Sequence, residues 1–87
     1  MKYLITYDIS DTRRWNKLFR YLKKQGLNVQ LSCFEVEVDK INDIRDEILN
    51  IIDDDEDSVY IFPVGGIAAS LTVKLGKRES INESKIL

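Results

Sequence analysis

The sequence predicts an α+β domain of ferredoxin-like order, βαββαβ, with an additional C-terminal strand. Three observations lead there. Eighty-seven residues with 44% apolar and 32% charged side chains have the balance of a folded domain and the length to close one core only. Two segments carry apolar residues at helical spacing. The segments before, between and after them are either continuously apolar or apolar at every second residue, the pattern of strands.

The first strand is read at Lys2 to Ile9, where Tyr3, Leu4, Ile5, Tyr7 and Ile9 leave little polar surface on either face, as in a central strand covered on both sides. Asp8 is the one charge near its C-terminal end. Ser10 or Asp11 caps a helix running to about Gln25, with Trp15, Leu18, Phe19 and Leu22 at helical spacing, and Gly26 stands where a left-handed C-terminal cap is expected. The other faces of this helix hold Arg13, Arg14, Lys17, Arg20, Lys23 and Lys24.

From Leu27 the period changes to two. Leu27, Val29 and Leu31 are followed by Phe34, Val36 and Val38, so the apolar parity slips at Ser32-Cys33 and a tight turn or bulge is expected there. Ile41, Ile44, Ile48, Ile51 and Ile52 mark a second helix, for which Asp39 is the expected cap. The acidic run Asp53 to Asp57 reads as a solvated connection, since it lacks the alternating oxygen ligands, central glycine and closing glutamate of a calcium loop. Ser58 to Val64 is the fourth strand, ended or placed at an edge by Pro63. A last strand at about 69–75, with Leu71, Val73 and Leu75 on one face, completes a domain of residues 1–76. Its apolar face is expected to add to the sheet edge of a partner chain, and the polar tail 77–87 is expected to be mobile.

Composition narrows the chemistry. Histidine is absent and Cys33 is the only cysteine, which excludes an intramolecular disulfide, an ordinary zinc site and a histidine general base. No apolar run approaches the roughly 20 residues of a membrane span, so the expected location is cytoplasmic, with no membrane partner. The net charge of −2 conceals a basic first segment, +5 over residues 1–24, and an acidic middle, −9 over residues 25–57. Hydrolysis in such a chain falls to carboxylates, hydroxyls and a divalent metal.

Asp8 is the sharpest candidate, as a catalytic carboxylate and metal ligand or, alternatively, as an extra cap for the first helix. Arg13 and Arg14 stand in the first helical turn, where the macrodipole disfavours cations, and with Lys17 and Arg20 they form a candidate phosphate-binding face. Magnesium commonly takes one or two carboxylates, with waters and substrate phosphates for the rest. Two copies of Asp8 brought together by a two-fold axis would supply both. A homodimer is also what a thin core favours. Tyr7, Ser32 and Phe34 are secondary candidates near such an axis.

Tyr7-Asp8-Ile9 after an apolar strand, Arg13-Arg14 on a basic helix, Val29-Gln30-Leu31-Ser32-Cys33-Phe34-Glu35 and Ser58-Val59-Tyr60-Ile61-Phe62-Pro63 together resemble the small CRISPR-associated family called Cas two, over about residues 1–75. The resemblance implies a ferredoxin-like fold, a symmetric homodimer and a role in spacer acquisition, in which the dimer bridges dimers of the Cas-one integrase and holds duplex DNA. For some members it implies magnesium-dependent endonuclease activity on single-stranded RNA or double-stranded DNA, with metal bound at the position of Asp8. The rival reading is a structural DNA-holding adaptor in which Asp8 does no chemistry.

Overall fold

A computed structural model describes residues 1–65 and 73–76. Its elements are β1 (Lys2–Asp8), α1 (Thr12–Gln25), β2 (Gly26–Gln30), β3 (Cys33–Glu37), α2 (Ile41–Ile51), β4 (Ser58–Pro63) and β5 (Val73–Gly76). The strands form one mixed-order sheet, β2-β3-β1-β4-β5, in which every neighbouring pair is antiparallel. The described residues thus form an α+β domain with two helices. Leu71 and the tail 77–87 lie outside the described residues.

Strand alternation divides the sheet into two faces. Ile5 and Tyr7 of β1, Phe34 and Val36 of β3, Val59 and Ile61 of β4 and Leu75 of β5 are buried in one cluster with Leu18 and Leu22 of α1 and Ile44, Ile48 and Ile51 of α2. That face is the core, and both helices cover it. The other face carries Leu4, Thr6 and Asp8, opposite Glu35 and Cys33 on one side and Phe62, Tyr60 and Ser58 on the other. Among the described residues no helix covers it. The expectation of a central strand buried on both sides therefore holds for one face only: Leu4, Tyr60 and Phe62 are half-buried.

The ends of the elements depart from expectation in two places. Asp11 does cap α1, its carboxylate accepting from the Arg14 N–H at 3.0 Å. Gly26 is not a left-handed cap, however. Its φ of −168° is extended and β2 begins at once. Glycine is required there by proximity, because a Cβ would strike the Glu35 carbonyl oxygen and crowd Val36. The second helix starts at Ile41, with Lys40 in the cap position and no side-chain cap bond, so Asp39 does not serve. The parity slip is resolved twice: the register of β2 on β3 shifts between Asn28 and Gln30, and Leu31-Ser32 turns the chain. The Asn28 side-chain amide donates to the Gln30 and Cys33 carbonyls and closes this bulged hairpin.

Among the described residues β5 pairs with β4 of its own chain, Val59 opposite Leu75 and Ser58 opposite Gly76, and as the terminal strand of the sheet it is paired along that one side. Gly76 has φ +91°, a left-handed conformation that glycine tolerates, and a Cβ there would collide with the Asp57 carbonyl.

Candidate active site at the end of the first strand

Asp8 is the last residue of β1 and is exposed. Its parity with Leu4 and Thr6 places it on the open face of the sheet, opposite Ser58 in the β1–β4 ladder. The hairpin turn arrives beside it: the Tyr7 N–H donates to the Ser32 carbonyl at 3.2 Å. Asp8, Ser32 and Ser58 thus meet at one end of the sheet, on backbone positions fixed by three strands.

A buried carboxylate that the sequence reading missed underlies this end. Asp57, the last residue of the acidic run, is fully buried. It accepts from the Ser10 N–H at 3.0 Å and the Ser10 hydroxyl at 3.3 Å, from Arg14 Nε at 2.7 Å and Nη2 at 3.2 Å, and from the Asp53 N–H at 2.9 Å. Burial alone would raise its carboxyl pKa. The Arg14 guanidinium and the two backbone N–H groups outweigh that and hold it below the usual carboxylate range. A solvated connection therefore describes Asp54, Asp55 and Glu56, which are exposed, but not Asp57. The signal was present in Arg14, a cation placed against the helix dipole beside an acid that opens an apolar strand.

The basic face is only partly what was expected. Arg13, Lys17 and Arg20 are exposed, and with Lys24 they follow helical spacing along about 16 Å of α1. Arg14 points inward to Asp57 and Ser10. This stripe belongs to the helix layer, while Asp8 belongs to the opposite face of the sheet, so the two are not gathered into one pocket.

Tyr7 and Phe34 are core residues and not part of an exposed axis. Their side chains are 6% and 0% exposed, they stack with centroids 6.3 Å apart, and Trp15 and Phe19 pack against them. Burial, and to a lesser degree Cys33, pushes the Tyr7 phenol up to about 12, so it stays neutral and is no base at ordinary pH. Ser32 keeps its place beside Asp8.

Among the described residues no three His, Cys, Asp or Glu side chains gather closely enough to hold a metal, and Asp8 offers a single exposed carboxylate. Among the same residues no helix is long and apolar enough to cross a membrane.

Residues 1–69 match the family model described as CRISPR associated protein Cas2. The chain belongs to the Cas2 family. A Cas2 relative from Thermus thermophilus, named a CRISPR-associated endonuclease, is 36% identical over 87 residues, covering 98% of this chain and 94% of the relative. A Cas2 from Thermodesulfovibrio yellowstonii, named a CRISPR-associated endoribonuclease, is 32% identical over 81 residues, with 90% and 88% covered. Among solved structures, Streptococcus pyogenes Cas2 superposes with a TM-score of 0.69 at 29% identity, covering 75% of this chain and 87% of the other. The CRISPR role indicated by the motifs in β1, α1, β3 and β4 is thus supported by nuclease relatives along nearly the whole chain.

Proposed function

We propose that this Cas2 protein is a ferredoxin-like subunit of a symmetric homodimer that binds nucleic acid and cleaves phosphodiester bonds with magnesium. The observation that carries the reading is the exposed Asp8 at the edge of an open, partly apolar sheet face. A second copy laid on that face would remove Leu4, Tyr60 and Phe62 from water, a favourable change of about 25 cal/mol per Å² of apolar surface. A two-fold axis near the end of β1 would also bring two Asp8 carboxylates together, and a pair of carboxylates with water and phosphate oxygens suits magnesium. Bound there, the ion would polarise a phosphate oxygen and help activate an attacking water.

The protein's own groups do the rest. The two Asp8 carboxylates would hold the ion, Ser32 stands at the same sheet end, and Arg13, Lys17 and Arg20 attract the polyanion from the helix layer. The substrate class is RNA or DNA, and in spacer acquisition the dimer holds duplex DNA beside the Cas-one integrase. A structural adaptor without catalysis is the second reading, supported by the exposed Arg13, Lys17 and Arg20, which lie apart from Asp8. Cleavage of single-stranded RNA and duplex DNA by the wild type and by Asp8→Asn, purified in parallel and titrated with Mg²⁺, separates the two. Magnesium-dependent cleavage lost in Asp8→Asn supports the nuclease, whereas equal activity in both preparations removes Asp8 from the chemistry.

A further inference from the structure

The polar groups that hold the loop after Asp8 converge on one atom pair, the carboxylate oxygens of Asp57. Oδ1 takes the Ser10 N–H, the Ser10 hydroxyl and Arg14 Nη2. Oδ2 takes Arg14 Nε and the Asp53 N–H. The β1–α1 loop, the first turn of α1 and the α2–β4 loop are therefore tied to a single fully buried side chain. Asp57 also immediately precedes Ser58, the ladder partner of Asp8, so the clamp closes around both strands that present Asp8.

We infer that Asp57, with Arg14, is a positioning residue for Asp8, setting the direction in which its carboxylate leaves the sheet. The inference rests on the reading of Asp8 as a metal ligand given above. Three things follow from the geometry. With Ser10 held, only Ile9 separates Asp8 from a fixed point, so little freedom remains in its backbone. A carboxylate with five donors around it is selective for charge as well as shape, because an amide in its place would turn one acceptor into a donor facing Arg14 or a backbone N–H. Arg14, finally, is held as a strut within the chain, which accounts for a guanidinium in the first turn of α1 and leaves phosphate attraction to Arg13, Lys17 and Arg20.

The test uses the full chain, Mn²⁺ alone as the probe, and backbone amide exchange as a readout independent of activity. Four proteins are compared at low temperature, each checked for native circular dichroism: wild type, Asp8→Asn, Asp57→Asn and Arg14→Gln. Asp8→Asn should lose the Mn²⁺ site while its Ser10 and Asp53 amides stay protected. Asp57→Asn should keep the fold, bind Mn²⁺ about 10–100-fold more weakly, as removal of a group that supports a metal ligand typically does, and exchange the Ser10 and Asp53 amides faster. Arg14→Gln leaves Asp57 its backbone donors, and its smaller loss in affinity gives the same comparison if Asp57→Asn does not fold. Wild-type Mn²⁺ affinity in a folded Asp57→Asn or Arg14→Gln, against a loss in Asp8→Asn, overturns the positioning role alone. Equal Mn²⁺ binding by wild type and Asp8→Asn overturns the reading of Asp8 itself, and this proposal with it.

Discussion

Replacing Asp57 with alanine should destabilise the domain by far more than any other substitution in the acidic run. The change leaves two backbone N–H groups, those of Ser10 and Asp53, without their acceptor and strips the guanidinium of Arg14 of its partner. Breaking a buried ion pair from one side costs about 3–5 kcal/mol, and the part-exposed Arg14 side chain, which regains water, points to the lower end. Against a total stability of about 5–15 kcal/mol for a domain, a loss of about 3 kcal/mol should lower Tm by roughly 12–24 °C at this chain length. Asp55→Ala, two residues away and exposed, should stay within about 0.5 kcal/mol. Thermal melts followed by circular dichroism, at one protein concentration and with mass checked by scattering, supply the comparison. The effect has a pH signature. The Asp57 carboxyl is held below its ordinary value in the fold, so its contribution is complete above the unfolded carboxyl range near about pH 4 and fades as pH falls through the lowered folded value. The gap between wild type and Asp57→Ala should therefore be widest near neutrality and narrow in acid. A gap of only a few degrees at neutral pH, or one that widens in acid, would refute the reasoning.

Two further outcomes are expected. Phe34→Ala, at a fully buried position between Tyr7 and Phe19, should cost about 3–5 kcal/mol in urea unfolding. A variant of unchanged stability that only weakens self-association would instead place Phe34 at an interface. Neutralising Arg13 and Lys17 together should flatten the salt dependence of duplex DNA binding by about 0.9 per lost phosphate contact. Arg14→Gln should leave that slope unchanged, because its guanidinium is engaged by Asp57.

Much of the architecture was legible because period and parity are local properties. The two helices, the strand pattern and the core residues Leu18, Leu22, Ile44 and Ile48 follow from spacing alone. The parity slip near Ser32 announced a turn, although the bulge at Asn28 to Gln30 could be placed only once β2 met β3. What stayed hidden depended on partners distant in sequence. Asp57 and Arg14 are separated by more than forty residues, and an acidic run reads as solvated until one member is found facing a guanidinium. Tyr7 adjoins Asp8 in one motif and Phe34 lies in another, yet alternation turns both to the helices while Asp8 faces the open side. Gly26 satisfied the sequence signature of a helix cap for a reason that lies elsewhere, the close approach of Glu35 across the hairpin.

Mixed dimers test most directly whether two chains build one site from two copies of Asp8. Wild type and Asp8→Asn, unfolded together in equal amounts and refolded, pair at random. If both carboxylates are needed, only the wild-type pairs cleave, and the mixture should show about one quarter of the wild-type magnesium-dependent activity per chain, as statistical pairing in a two-fold dimer dictates. An activity of about one half would mean that each chain works with its own Asp8, which would contradict the shared site.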